Sequence, residues 1–515
     1  MRKIAAAVVL LLIAAPLTAQ RSPRKVPRVA PAMGPFVRPG FFDPGVVERR
    51  PVVPMHLGAI PFPPLTHLWI RAETPHFILI SAIDEHGTRA LANDLEKFTS
   101  LLTTASSTYF QLPAARTRVF LFAERRNAQP YFDAIVGAHV DANGITLRHP
   151  KGSTMLIDTA ARGGSTLTPR HELVHDLLHQ HEKPLPLWID EGLAEYYSNG
   201  GQPIREHVSR VRGRLRMPLP QMFSTRAEDK GAWTFDFYAQ SWAAVATLMR
   251  RDPKAFFEFL GDLQEGTGAA AAIQARYRMS LRDLEFAMRK VAAPAPSLIT
   301  RTPAPAALQL TSMSRADLLY ELADLLVRVK GREAEADRHF RAALAANGAT
   351  GAMHLAYAEL LLALPDCAAD ARVQAQSALD ADAKLAMRAH GIIGLSYLAT
   401  SDPVTARPYL EGVYDTAPEQ ADFAFALFSL YIDAGERAAA ERVFQNLADT
   451  PRGNDARRLF LNTDVPRADT LAREGKLLEA ARILRDLAPK MPGKTRANLE
   501  GQAVRLESIA AMPQP

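Results

Sequence analysis

Between Thr168 and Gly201 the chain reads TPRHELVHDLLHQHEKPLPLWIDEGLAEYYSNGG, and this stretch constrains the fold more than any other. Thr168 suits an N-cap and Pro169 the first helical position, so the residues predict a helix starting there. It runs to about Glu182, where Lys183-Pro184-Leu185-Pro186 stops it. A second helix is predicted from near Trp188 to the stop at Asn199-Gly200. Leu173, Val174, Leu177 and Leu178 form the apolar side of the first helix.

His171 and His175 are four apart and therefore share one helix face. With Glu172 after the first histidine they form HExxH, a two-histidine zinc arrangement with an adjacent general base. Zinc needs a third protein ligand and an open position for water. His181 lies ten residues after His171, but the turn glycine that would bring such a histidine back to the metal is replaced by Leu178. On a continuing helix His181 projects away from the shared face. Glu191, sixteen residues after His175, can return beneath the first helix and complete a His-His-Glu set. Glu195, one turn further on, is positioned to accept a hydrogen bond from the outer nitrogen of a ligand histidine. His179 also lies on the ligand face, where it is read as a supporting or solvated histidine rather than a ligand.

HELVH, LPLWIDEGLAEYY and YAQSWAAV together resemble the peptidase MA-like gluzincins of exported bacterial proteins, over residues 70 to 290. The resemblance implies zinc bound by His171, His175 and Glu191, with Glu172 activating water. Leu187 departs from the pattern, which often has a basic or polar residue before the tryptophan, but it touches no ligand. A chance HExxH on a solvated helix is the bland alternative, and the following Trp-x-x-Glu-Gly-x-Ala-Glu weighs against it. The segment WTFDFYAQSWAAVATLM resembles the family's Tyr-x-x-Ser helix, which makes Tyr238 the expected donor to a tetrahedral oxyanion. Phe235, Phe237 and Trp242 read as packing residues, and Tyr196 and Tyr197 as weaker donors.

At 515 residues the chain exceeds one ordinary domain. Residues 1–19 combine Arg2-Lys3, an apolar run and Leu17-Thr18-Ala19, the pattern of a secretory signal peptide. Export to a periplasm or secretion is expected, with no stable membrane span after cleavage; the lone Cys367 excludes an internal disulfide. The net charge of +6 includes seven cations before the first acid, Asp43, and without them the remainder stands at −1. Nothing in this balance favours nucleic acid. Residues 20–65 form a Pro/Arg-rich linker or surface strap, for which a propeptide role is an open alternative.

From 66 to 160 the runs HFILIS, RVFLFA, ITLRH and TMLID predict strands, with a helix beginning near Gly87 and a tight turn at Asn143-Gly144. Met155–Asp158 is read as an edge strand able to pair with an extended peptide, or as an ordinary buried strand. A Pro/Ala linker follows at 293–312. Beyond it the row Ala336/Phe340/Ala343 recurs as Ala371/Ala375/Ala378, Ala406/Leu410/Val413, Ala440/Phe444/Leu447 and Ala480/Leu484/Leu487, at intervals of 35, 35, 34 and 40. A tetratricopeptide repeat has this small-large-small row and a period of about 34 residues.

The sequence therefore predicts an α+β zincin-like metallopeptidase domain (66–292) followed by an all-α, TPR-like solenoid (313–512). The expected function is exported, Zn2+-dependent hydrolysis of peptide bonds in a peptide or protein substrate. The alternative is a catalytically silent scaffold whose repeats bind a protein partner. A zinc hydrolase acting on a non-peptide bond would share the same site.

Overall fold

The computed structural model describes residues 59–64, 68–136, 143–149, 152–160, 166–180, 183–229, 231–291 and 307–512, and the backbone of 37–39. The expected signal peptide, most of the 20–65 segment, His181 and residues 293–306 of the expected linker lie outside them. The chain is α+β, with one mixed sheet followed by a helical region. Among the described residues no helix is long and apolar enough to cross a membrane.

Seven strands lie in the order β1-β5-β6-β4-β3-β2-β7. They are β1 (Val37–Pro39), β2 (Ile70–Glu73), β3 (Phe77–Ser81), β4 (Thr117–Phe122), β5 (Gly144–His149), β6 (Gly152–Asp158) and β7 (Gln309–Ser312). The β3-β4 and β4-β6 pairs are parallel and the other pairs are antiparallel. The two parallel pairs are linked through helices α1 (Glu85–Ala105) and α2 (Arg125–Val136), as parallel connections require.

Alternation along β4 explains the layering. Thr117, Val119 and Leu121 face one side, where Thr117 Oγ1 donates to the buried Asp176 at 2.6 Å. Arg118, Phe120 and Phe122 face the other, where Arg118 pairs with Asp324 and Phe122 stacks on Tyr131 of α2. Helices therefore cover both faces, and the first face belongs to the layer that carries HExxH.

Two expectations are corrected by the topology. Met155–Asp158 is not an edge, because its hairpin partner β5 covers one side of β6 and β4 the other. The expected 293–312 linker ends early, because Gln309–Ser312 is strand β7, paired antiparallel with β2. The helices after it, α11 (Arg315–Val327) and α12 (Glu333–Ala345), are tied to the sheet layer. Arg71 reaches Glu321 at 2.5 Å, and the Tyr131 hydroxyl lies 3.0 Å from His339 Nε2. The compact unit holding the sheet accordingly runs to Asn347, and a second begins at Gly348.

The second unit contains α13 (Gly351–Ala363), α14 (Ala368–Ala381), α15 (Ala386–Ala399), α16 (Pro403–Thr416), α17 (Ala421–Asp433), α18 (Arg437–Leu447), α19 (Gly453–Arg473), α20 (Leu477–Leu487) and α21 (Gly493–Ala510). Successive helices pack together, and alternate ones (α13 with α15, α15 with α17, α17 with α19) also touch. The recurring rows at 371, 406, 440 and 480 fall on α14, α16, α18 and α20, and every residue in them is buried. The row at 336 is buried as well, on α12 of the sheet unit.

Candidate metal centre

HExxH lies on α3 (Leu167–Leu178) and Glu191 on α4 (Leu187–Ser198). The first begins one residue before the expected cap, so Thr168 and Pro169 fall inside its first turn and Thr166 takes the cap position. It ends at Leu178 rather than near Glu182. Arg170 fastens α3 to α1 by donating to Asp94 at 2.8 Å, while Asp176 ties it to β4. All twelve residues of α4 are buried, Trp188 lying against Phe223 and Phe259.

Gly192 sets how closely α4 meets α7 (Phe235–Arg251). A Cβ there would stand 2.6 Å from the Ser241 carbonyl oxygen and 2.6 Å from Val245 Cγ2. The glycine after Glu191 is thus required by the approach of two helices, one bearing Glu191 and Glu195 and the other Tyr238.

His171 Nε2 and His175 Nε2 are 3.1 Å apart, and Glu191 Oε2 stands 3.4 Å from each. Ligand atoms of a tetrahedral ion bound at about 2.0–2.2 Å lie about 3.3–3.6 Å from one another. The observed triangle is close to the size of one face of that tetrahedron. Glu191 accepts no conventional hydrogen bond on either buried oxygen among the described residues. Its donor set, two imidazoles and a carboxylate, suits a divalent transition metal such as zinc.

Each histidine of the triangle is backed by a carboxylate. Asp190 Oδ1 accepts from His175 Nδ1 at 2.9 Å, which leaves the Nε2 lone pair of that ring directed at the triangle. Glu195 Oε1 faces His171 Nδ1 at 3.4 Å. Each carboxylate in turn meets a further histidine. His179 Nε2 donates to Asp190 Oδ2 at 2.9 Å, and His207 Nε2, on α5 (Arg205–Val211), donates to Glu195 Oε2 at 3.0 Å. His175, His179 and Asp190 also converge closely enough to hold an ion. Their hydrogen bonds already account for that group, since Asp190 takes one ring on each oxygen.

Glu172 extends from the same helix toward β5. Thr146 Oγ1 donates to its Oε2 at 2.8 Å. A Cβ at residue 144 would lie 2.9 Å from Glu172 Cγ, so Gly144, expected only as a turn residue, makes room for this side chain. Burial raises the Glu172 carboxyl to about 7, against the lowering effect of His171 and of the Thr146 hydrogen bond. A cation nearby would favour the carboxylate form. Burial would depress His171, yet the Glu191 carboxylate 3.4 Å away and the charges of Glu195 and Glu172 bring it up to about 9. Burial likewise opposes ionisation of Glu191, and His175 and His171 overcome it, holding that carboxyl well below its usual range. So many carboxylates around two imidazoles favour a positive charge between them.

Tyr238 is buried with its ring centroid 6.4 Å from that of His171. Tyr197 packs edge-on against Phe110 at 5.2 Å and against Tyr196, so this pair belongs to the core. His171, Glu172, His175, Glu191, Glu195 and Tyr238 are thus gathered in one place. Asp190, Thr146 and His207 were missed by the motif reading; only Asp190, inside WIDEG, had a signal to follow. No protein-family model matches the chain, and no curated protein matches it.

Proposed function

We propose that the protein is an exported, zinc-dependent peptidase of the gluzincin type, with its zincin-like domain followed by TPR-like repeats. The observation that carries the reading is the triangle of His171 Nε2, His175 Nε2 and Glu191 Oε2, spaced at 3.1, 3.4 and 3.4 Å beside a buried glutamate. Zinc held by these three residues supplies Lewis acidity that brings water ionisation toward neutral pH and polarises a carbonyl.

Glu172 takes the proton from the attacking water and passes it to the leaving amine nitrogen. It takes that proton as a carboxylate and returns it as a carboxylic acid, from a buried position on the same helix as His171 and His175. Thr146 holds one of its oxygens and so restrains its rotation. Tyr238 donates to the oxyanion that develops as the carbonyl is attacked, because a phenol stays protonated at neutral pH. Glu195 and Asp190 keep the two ligand rings oriented.

The buried rows recurring every 34 to 40 residues support the repeat reading, and the repeats are the proposed site for a protein partner. In digests of casein or a peptide library, Glu172→Gln is expected to retain zinc while cleavage falls by about 100- to 10,000-fold. Cleavage equal to wild type would remove Glu172 from this role. A wild type that holds zinc without cleaving anything would favour the silent scaffold.

A further inference from the structure

No part of the HExxH or Glu-Gly pattern calls for a histidine at 207, yet the ring of His207 is fully buried beside the centre. Phe235 confines it edge-on at 5.2 Å and Trp242 at 5.8 Å. Enclosing an imidazole and a carboxylate among aromatic rings is costly unless the two satisfy each other. Here they do, because Nε2 donates to Glu195 Oε2 at 3.0 Å.

That contact determines which way Glu195 can face. A carboxylate without a fixed donor can turn about its last torsion, which is broad. With Oε2 held by His207, Oε1 is left toward His171 Nδ1, 3.4 Å away. The corresponding arm behind His175 is tighter, since Asp190 lies 2.9 Å from Nδ1 and sits on the same helix as Glu191. The His171 arm depends on a residue from another helix, α5, for the same constraint.

We infer that His207 is a positioning residue of the metal centre, fixing through Glu195 the orientation of His171; the inference rests on the zinc reading above. Outer partners of metal-bound histidines commonly account for about 10- to 100-fold in metal affinity.

The test measures zinc affinity of the full chain by competition with a chromophoric chelator, together with the visible spectrum of the cobalt-substituted protein. His207→Leu is expected to weaken zinc binding by about 10- to 100-fold and to alter the cobalt spectrum. His207→Gln, whose amide can donate to Oε2, is expected to recover most of the affinity. In a Glu195→Gln background His207→Leu should add little, since coupled residues are not additive. The metal-free melting temperature reports packing separately, and the Gln variant carries the comparison if the Leu variant does not fold. Unchanged affinity and spectrum in His207→Leu overturn the inference alone, as does the same loss with and without Glu195. A wild type that binds no zinc overturns the metal reading and this inference together.

Discussion

The sheet-bearing unit buries His171, Glu172, His175, Asp176, Asp190, Glu191, Glu195 and His207 within three helices, α3, α4 and α5. Beyond Gly348 the one acidic or basic side chain (Asp, Glu, His, Lys or Arg) buried among the described residues is Asp464, and Arg437 meets it at 2.5 Å. The second interior is otherwise built of alanine and larger apolar side chains in recurring rows, with its ion pairs outside, as between Arg407 and Glu436. Burying charge opposes folding, whereas burying Leu410 or Phe460 favours it. That contrast in buried charge is why the proposed chemistry is placed in the first unit and not in the second.

The largest expected effect is at the junction of α4, which bears Glu191, with α7, which bears Tyr238. Gly192→Val inserts atoms where even a Cβ would lie 2.6 Å from backbone. It should abolish zinc binding and cleavage and lower stability by about 1–3 kcal/mol or more. Retention of zinc with wild-type stability would show that the α4–α7 approach is not what holds the centre.

Acidification should separate the units next. Burial pushes His339 down to about 4, where its Nε2 accepts from the Tyr131 hydroxyl. An exposed histidine in the unfolded chain titrates near 6.5. Between those values the unfolded chain binds the extra proton, so stability is present above pH 6.5 and declines as pH falls toward 4. The loss should reach on the order of 2–3 kcal/mol at pH 4. Denaturant melts of wild type and His339→Gln across that range check it. Equal pH slopes for the two proteins would assign the effect elsewhere.

A smaller effect is expected from Ala440→Leu, which overfills a buried row of the second unit and should cost about 1–2 kcal/mol. Zinc content and cleavage rate should stay at the wild-type level. A large loss of cleavage in this variant would break the division drawn between the units.

How much of this was legible in sequence depends on whether a residue acts within its own segment. The spacing His171–His175 is local and helix periodicity pairs the two rings, while Glu191 comes within reach because only a short Pro-containing connection separates its helix from theirs. The recurring rows were equally legible, because a fixed period repeats the same local packing. Asp176 and Thr117 are 59 residues apart, and His207 reaches Glu195 from a separate helix; neither pairing leaves a trace in local pattern. Gln309–Ser312 has no strong strand signature, and it joins the sheet because β2 offers it an open edge. Gly144 and Gly192 were visible as glycines, but the side chain and backbone they accommodate come from other elements.

The central claim is that two imidazoles and the Glu191 carboxylate bind one cation. Metal analysis of purified wild type, Glu191→Ala and His181→Ala tests it directly. Wild type and His181→Ala should each carry one zinc per chain, and Glu191→Ala none. Zinc retained by Glu191→Ala, or lost only from His181→Ala, would contradict it.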